Sequence, residues 1–217
     1  MMFEKIFPKV HPEGYKFLII SSIITLILLL ISSFFGLIFI FITIWVYYFF
    51  RDPERVVIED SNYLVSPADG RVSSISEVKG PIELGLDNEQ FTKVSIFMNV
   101  FDCHVNRSPS NGEIEEIFYK PGKFLNASLD KASEENERNY FKIKSEETKE
   151  NIVVVQIAGL IARRIVTQVQ KTQKVKQGER LGMIRFGSRV DIYFSQRNTM
   201  VKVGQNVIAG ESLIARK

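Results

Sequence analysis

The chain of 217 residues holds two histidines, and only His104 lies outside the N-terminal tail. Imidazole acid–base chemistry in the main body must therefore run through His104. It sits in VSIFMNVFDCHVNRSP, at the end of a strongly β-type run. A lone histidine there is either structural or a base, and strand ends are where rigid elements deliver side chains to a site. Cys103 beside it is not a nucleophile partner. Adjacent side chains of a continuing strand point to opposite faces, so Cys103 is expected in the core. Ser188 follows Gly187 in LGMIRFGSRVDIYF. The plain reading of that pair is a tight turn. The chemical reading is more specific: glycine leaves its carbonyl unhindered and tolerates unusual backbone angles. The Ser188 hydroxyl could then attack the preceding peptide carbon once a base takes its proton, and His104 is the imidazole available. Asp69, in SPADGRV, is either a turn former or a carboxylate holding His104 in one tautomer, as in hydrolase triads.

These few groups also exclude much. Two separated histidines rule out a zinc site built on histidine, and one cysteine rules out a Cys–His cluster or disulfide scaffold. No metal site is expected. Net charge is +3. Removing Lys5, Lys9, Lys16, Glu4 and Glu13 leaves 25 basic and 23 acidic residues, or +2, after Phe50. A domain that near neutrality carries no nucleic-acid footprint. Neither GxGxxG nor GxxxxGK[ST] occurs, so no nucleotide-phosphate loop is expected.

The elements that must position these groups fall into two parts. Residues 17 to 50, 34 in all, carry no charge. As one straight helix they would measure about 51 Å against a hydrocarbon core of about 30 Å. Ser32, Ser33 and Gly36 offer a break, which predicts a helical hairpin with both ends on one side. Trp45, Tyr47 and Tyr48 suit the headgroup level, and Lys5, Lys9, Lys16, Arg51 and Arg55 favour the cytoplasmic face. No alanine precedes Ala68, so a cleaved signal peptide is disfavoured. Residues 1–50 are read as a membrane-associating segment and 51–217 as the catalytic domain.

After Phe50 the pattern becomes short β-type stretches between turns. Strands are expected at Gly70–Val78, Thr92–Val100, Gly112–Tyr119, Ile152–Ile157, Arg164–Gln170, Leu181–Phe186 and Val190–Phe194. A last pair is expected near Met200–Val203 and Ser212–Ala215. Long amphipathic helices do not alternate with them, which disfavours a doubly wound parallel sheet. The phrases VKQGERLGMI and VKVGQNVIAGESLIA resemble the β-sandwich of lipoyl and biotinyl carrier domains. Lys202 lies inside the second phrase and not in a Met-Lys-Met hairpin tip, so the phrases speak for fold and not for a carried cofactor. The expected class is mainly β (α+β), a β-sandwich or barrel-sandwich-like domain behind a hydrophobic helical hairpin. Phe124–Tyr140, polar and dense in Glu and Asn, is expected as a surface loop or a segment over a site.

Taken in order, YFFRDPER, SPADGRV, FMNVFDCHVNRSP, LDKASEENERN, QIAGLIARRI and GMIRFGSRVD span nearly the whole chain. Together they resemble the phosphatidylserine decarboxylase family in its short membrane-associated form. The resemblance implies a proenzyme that cuts itself between Gly187 and Ser188, with Asp69, His104 and Ser188 as its processing triad. It implies a covalent pyruvoyl cofactor made from Ser188, which forms a Schiff base with the serine headgroup of a membrane phospholipid. The partners implied are chains 1–187 and 188–217 from one precursor, with further homo-oligomerisation left open, at the cytoplasmic membrane face. Longer relatives carry a second histidine three positions beyond the first, where this chain has Arg107. Arg107, Arg163 and Arg164 are candidates for holding phosphate or carboxylate, or are solvated. A membrane-anchored β-sandwich adaptor without catalysis is the alternative from another class, and an archaetidylserine-type lipid is the alternative substrate.

Overall fold

The computed structural model describes residues 7–125, 135–159, 164–185 and 188–217. The chain divides into two compact units, Met1–Glu54 and Arg55–Lys217.

The first unit is a helical hairpin. Its uncharged Leu- and Ile-rich run supplies good helix formers, and they make α1 (Tyr15–Ile31) and α2 (Ser33–Phe49). Between them Ser32 is extended, with φ −159° and ψ 122°, and the chain reverses there. Gly36 is needed at the reversal, because a Cβ would run into the side chain and backbone of Leu29. Further along, Thr25 Oγ1 lies 2.9 Å from Thr43 Oγ1. At the open end the His11 N–H donates to the Phe50 carbonyl at 2.8 Å, and Tyr47 Oη donates to the Pro8 carbonyl at 2.7 Å. Both ends therefore lie together, as the sequence predicts. Pro12–Ile31, 20 residues of mean hydropathy 2.3, is long and apolar enough to cross a membrane, whereas Ser33–Phe49 is shorter. The outward faces are apolar: Leu30 is 89% exposed and Phe41 72%.

The second unit is built of strands. They run β1 (Tyr63–Val65), β2 (Gly70–Lys79), β3 (Gln90–Met98), β4 (Val105–Arg107), β5 (Gly112–Lys120), β6 (Arg138–Ser145) and β7 (Asn151–Ala158). Then follow β8 (Arg164–Thr167), β9 (Lys174–Val175), β10 (Arg180–Arg185), β11 (Ser188–Phe194), β12 (Asn198–Thr199), β13 (Asn206–Val207) and β14 (Leu213–Arg216). Eight of them form one sheet in the order β13-β2-β3-β11-β7-β6-β5-β9, and two three-stranded sheets run β1-β14-β12 and β4-β10-β8. Every pairing between these strands is antiparallel. Register shifts between Val72 and Ser74 and between Ile114 and Glu116 bend the long strands, as bulges do.

Alternation along β11 sorts its side chains. Val190, Ile192 and Phe194 join the main core, which also takes Leu64, Leu181, Ile184 and Ile214 from the small sheets. The small sheets thus close over one face of the large one, a sandwich-like arrangement in line with the expected class. Each fully buried Val, Ile or Leu in that layer contributes about 2 kcal/mol of transfer free energy. The opposite face carries a second cluster of Leu84, Leu86, Phe91, Tyr140, Val153, Val155 and Ile157.

Three segments differ from expectation, and one residue of an expected strand cannot be compared. β3 ends at Met98, so His104 follows a turn and does not sit on the strand itself. Met200–Val203 is not a strand; the short β12 lies just before it. The first residues of the supposed polar loop Phe124–Tyr140 are described only to Leu125, yet its end, Arg138–Tyr140, begins β6. Those polar residues are buried between two strands, where a polarity pattern signals a loop. Phe186 of the expected strand Leu181–Phe186 lies outside the described residues.

Candidate active site

Ser188 is the first residue of β11, a strand flanked on both sides by others. It stands in register with Met98 of β3 and Ala158 of β7. By alternation it shares the inward face of Val190 and Ile192. The residue is 0% exposed and its Oγ has no hydrogen-bond partner among the described residues. Leaving a hydroxyl buried and unpaired costs about 1–3 kcal/mol. Gly187, its partner in the expected cleavage, lies outside the described residues.

His104 is also 0% exposed. β3 ends at Met98 opposite Ser188, and six residues later the His104 carbonyl accepts from the Ile184 N–H at 3.3 Å. Ile184 belongs to β10, which leads into β11. The two residues are thus delivered to one end of the sandwich by paired strands. Nδ1 of His104 lies 2.9 Å from the Asp102 main-chain oxygen. A carbonyl only accepts, so Nδ1 carries the proton in the neutral ring and Nε2 is the basic nitrogen. The turn that presents this carbonyl is fixed by its own side chains: the Asn99 N–H donates to Asp102 Oδ2 and the Phe101 N–H to Asn99 Oδ1, both at 2.8 Å.

Asp69 occupies the turn before β2. Gly70 beside it has φ +145°, and a Cβ there would strike the Phe97 carbonyl, so only glycine lets β2 approach β3 so closely. Asp69 Oδ2 accepts from Arg55 Nη2 at 2.7 Å and Oδ1 from the Ala209 N–H at 2.8 Å. Burial disfavours the Arg55 charge, and the Asp69 carboxylate more than restores it. Asp69 does not share a hydrogen bond with His104. The Asp102 carbonyl faces His104 Nδ1, while the carboxylate of Asp69 is bonded to Arg55 and Ala209.

Asp69 and Asp102 nevertheless meet at one cleft of about 490 Å³, together with Arg71, Asn99, Asn206 and Ile208. That volume is in the range of small-molecule sites. Arg71 is its cation, and sequence reasoning missed it; SPADGRV pointed to the turn and not to the residue after it. A smaller hollow of about 170 Å³ beside Gly112, Lys144 and Lys174 contains none of these groups.

The arginines are dispersed. Arg107 is only 4% exposed and its Nη1 donates to the Gly178 carbonyl at 2.9 Å, so it is not solvated. Arg164 is exposed on β8, in register with Arg185, and Arg163 lies outside the described residues. Lys202 sits in a turn, its N–H donating to Gln205 Oε1.

Ser188 and His104 are both buried, and Asp69 and Asp102 line the cleft. Comparison with known proteins identifies the family. The phosphatidylserine decarboxylase family profile matches residues 42–215. A phosphatidylserine decarboxylase proenzyme of Pelagibacter ubique is 66% identical over 216 residues, covering 100% of both chains. Proenzymes of the same name from Ruegeria pomeroyi and Cereibacter sphaeroides are 52% and 50% identical over 206 residues, covering 94% of this chain and 94% and 88% of theirs. With a family match that runs from within α2 to the last strand, the chain belongs to the phosphatidylserine decarboxylase family.

Proposed function

We propose that this chain decarboxylates phosphatidylserine to phosphatidylethanolamine, using a pyruvoyl group that it makes by cutting itself between Gly187 and Ser188. The observation that carries the reading is the Ser188 oxygen, buried and unpartnered at the start of a central strand.

The cut uses the chain's own groups. His104 Nε2 takes the Ser188 hydroxyl proton as Oγ bonds to the Gly187 carbonyl carbon. The bond from that carbon to the Ser188 nitrogen breaks, and the proton passes to the nitrogen. Loss of the Ser188 α-proton then expels Gly187 as a carboxylate that keeps the oxygen. The dehydroalanine left behind tautomerises and adds water, ammonia departs, and a pyruvoyl cap remains on the new N-terminus. The products are residues 1–187 and a chain of 30 residues (217 minus 187).

The fold holds both products together. The smaller chain keeps β11 paired to β3 and β7, β13 to β2, and β14 to β1. A cut at the very start of β11 leaves those ladders whole. The chemistry such a cap supplies is an electron sink, a ketone that holds the substrate amine while carbon dioxide leaves. Around it, Arg71 supplies positive charge suited to the lipid phosphodiester, and Asp69, neutralised by Arg55, lines the cleft without repelling the headgroup. The hairpin attaches the protein to the membrane, with Lys9, Lys16 and Arg51 flanking its two ends on the cytoplasmic side.

Intact-mass measurement of the purified protein tests this. Two chains joining at 187/188, the smaller capped by a ketone that borohydride reduces, are expected. A single uncut chain with an ordinary serine overturns the reading.

A further inference from the structure

Three exposed apolar side chains of the strand unit stand at the mouth of the cleft that holds Arg71. Phe101, 64% exposed, lies in the turn between Asn99 and Asp102, both of which line the cleft. Ile208, 42% exposed, lines it directly. Val203, 61% exposed, precedes Gly204, whose carbonyl accepts from Arg71 Nε at 3.0 Å. These turns bond backbone N–H groups of their own. The Phe101 N–H goes to Asn99 Oδ1 at 2.8 Å and the Ile208 N–H to Ser212 Oγ at 2.9 Å. The Gly204 N–H, beside Val203, goes to the Val72 carbonyl at 2.8 Å. Backbone groups satisfied within the protein can approach hydrocarbon without a stranded donor.

The charges around these side chains are biased. Arg71 and Lys202 are both exposed and make no ion pair among the described residues. The acids nearby are engaged: Asp69 with Arg55 and the Ala209 N–H, Asp102 with the Asn99 N–H, and Glu211 with the Val56 N–H. An apolar rim with two free cations complements a surface that carries phosphate above hydrocarbon. The substrate chemistry calls for the same surface. Every CH₂ of a diacyl lipid lifted into water costs free energy, so a cleft that takes the headgroup works best at the interface itself.

We propose that the mouth of this cleft docks on the lipid bilayer, with Phe101, Val203 and Ile208 entering the acyl boundary and Arg71 and Lys202 against the lipid phosphates. This rests on the substrate being a membrane phospholipid. The hairpin tethers the chain, and the rim is a second contact made by the strand unit itself. Phe101 lies before the 187/188 junction and Val203 and Ile208 after it, so the docking face draws on both sides of the cut.

The chain has one tryptophan, Trp45, and Trp45→Phe therefore gives a dark background for a fluorescence test. Trp45→Phe/Phe101→Trp and Trp45→Phe/Val203→Trp each place an indole on the rim, where exposure leaves room for the larger ring. Trp45→Phe/Ile82→Trp is the reference. Ile82 is also exposed, at 71%, but follows the far end of β2, about 27 Å of strand from Arg71. Each full-length protein carries Ser188→Ala and is reconstituted in vesicles of phosphatidylcholine and phosphatidylglycerol, with or without bromine on the acyl chains. Bromine is expected to remove emission from both rim indoles and to leave that of the Ile82→Trp protein unchanged. The loss is expected to shrink in vesicles of phosphatidylcholine alone. Rim indoles quenched no more than the reference overturn the proposal. So does emission that shifts to the blue with protein concentration but is not quenched, which would assign the rim to a second copy. Either rim variant decides the matter should the other not fold. The measured chains are uncut, so the result does not depend on the Ser188 chemistry. A wild-type chain that never cuts overturns that assignment and leaves the docking result as measured, which separates the two failures.

Discussion

Ser188 and Arg189 are neighbours on one strand and face opposite ways, and their surroundings could hardly differ more. On the outer face Arg189 donates through Nε and Nη2 to the two Asp191 oxygens at 2.6 and 2.8 Å and through Nη2 to Ser95 Oγ at 3.0 Å. Both charged residues are almost wholly buried and bonded in a bidentate fork. On the inner face the Ser188 Oγ has no hydrogen-bond partner among the described residues. A charge left unpaired inside a protein is intolerable, whereas a neutral hydroxyl or amide can be left short at a cost of about 1–3 kcal/mol. The outer face therefore holds the strand, and the proposed function has the first residue of the inner face react.

The sharpest way to test that division is Ser188→Ala. The variant is expected to fold, to remain one uncut chain by mass, and to lose all decarboxylase activity. An active Ser188→Ala protein would erase the distinction between the faces. His104→Gln comes next. It keeps an amide of similar reach but no basic nitrogen, and general base catalysis is worth about 10²–10⁴. Cleavage slowed by that order, with melting temperature close to wild type, is expected from a time course of processing. A fully processed His104→Gln would move the base elsewhere.

How far these groups could be read from sequence follows the same division. Strands β2, β5, β7 and β11 announced themselves through Val- and Ile-rich runs ended by glycine turns, and Ser188 and His104 stood out as rare residues at strand ends. β6 did not, because Arg138 and Asn139 are polar yet buried, at 8% and 2% exposure, and polar residues are read as loop. The contact that orients His104 was invisible for a different reason: it is a main-chain carbonyl, which every residue has. The residue type of Asp69 suggests that partner, but its oxygens go to Arg55 and to a backbone N–H 140 positions away, a distance no local pattern encodes.

Breaking the outer face should leave chemistry alone and cost stability. Arg189→Met strands the Asp191 carboxylate, and losing one partner of a buried pair costs about 3–5 kcal/mol. Arg189→Met/Asp191→Leu removes both charges and is expected to recover most or all of that loss. Urea unfolding of both variants in the Ser188→Ala background measures it. Equal destabilisation of single and double variants would show that the pair itself, and not the stranded charge, matters.

The smallest expected effect lies further out on the same face, at Glu83. Burial works to raise its pKa, but hydrogen bonds from Lys120, its own backbone and Tyr140 outweigh that and hold it below the usual carboxylate range. The Lys120 contact is 3.0 Å, with Arg138 a further 3.9 Å away. A carboxyl with a lower pKa folded than unfolded contributes stability that is fully present above its unfolded pKa, about 4.3. That contribution fades as pH falls through the folded value. Glu83→Gln should therefore melt slightly lower than the parent near neutral pH and converge with it at acid pH. Lys120 is partly exposed, so solvent screens the pair and the difference stays small. Melting curves across pH read it directly. A gap between the two proteins that widens on acidification would mean that Glu83 is held protonated, and that the outer face too keeps a group out of balance.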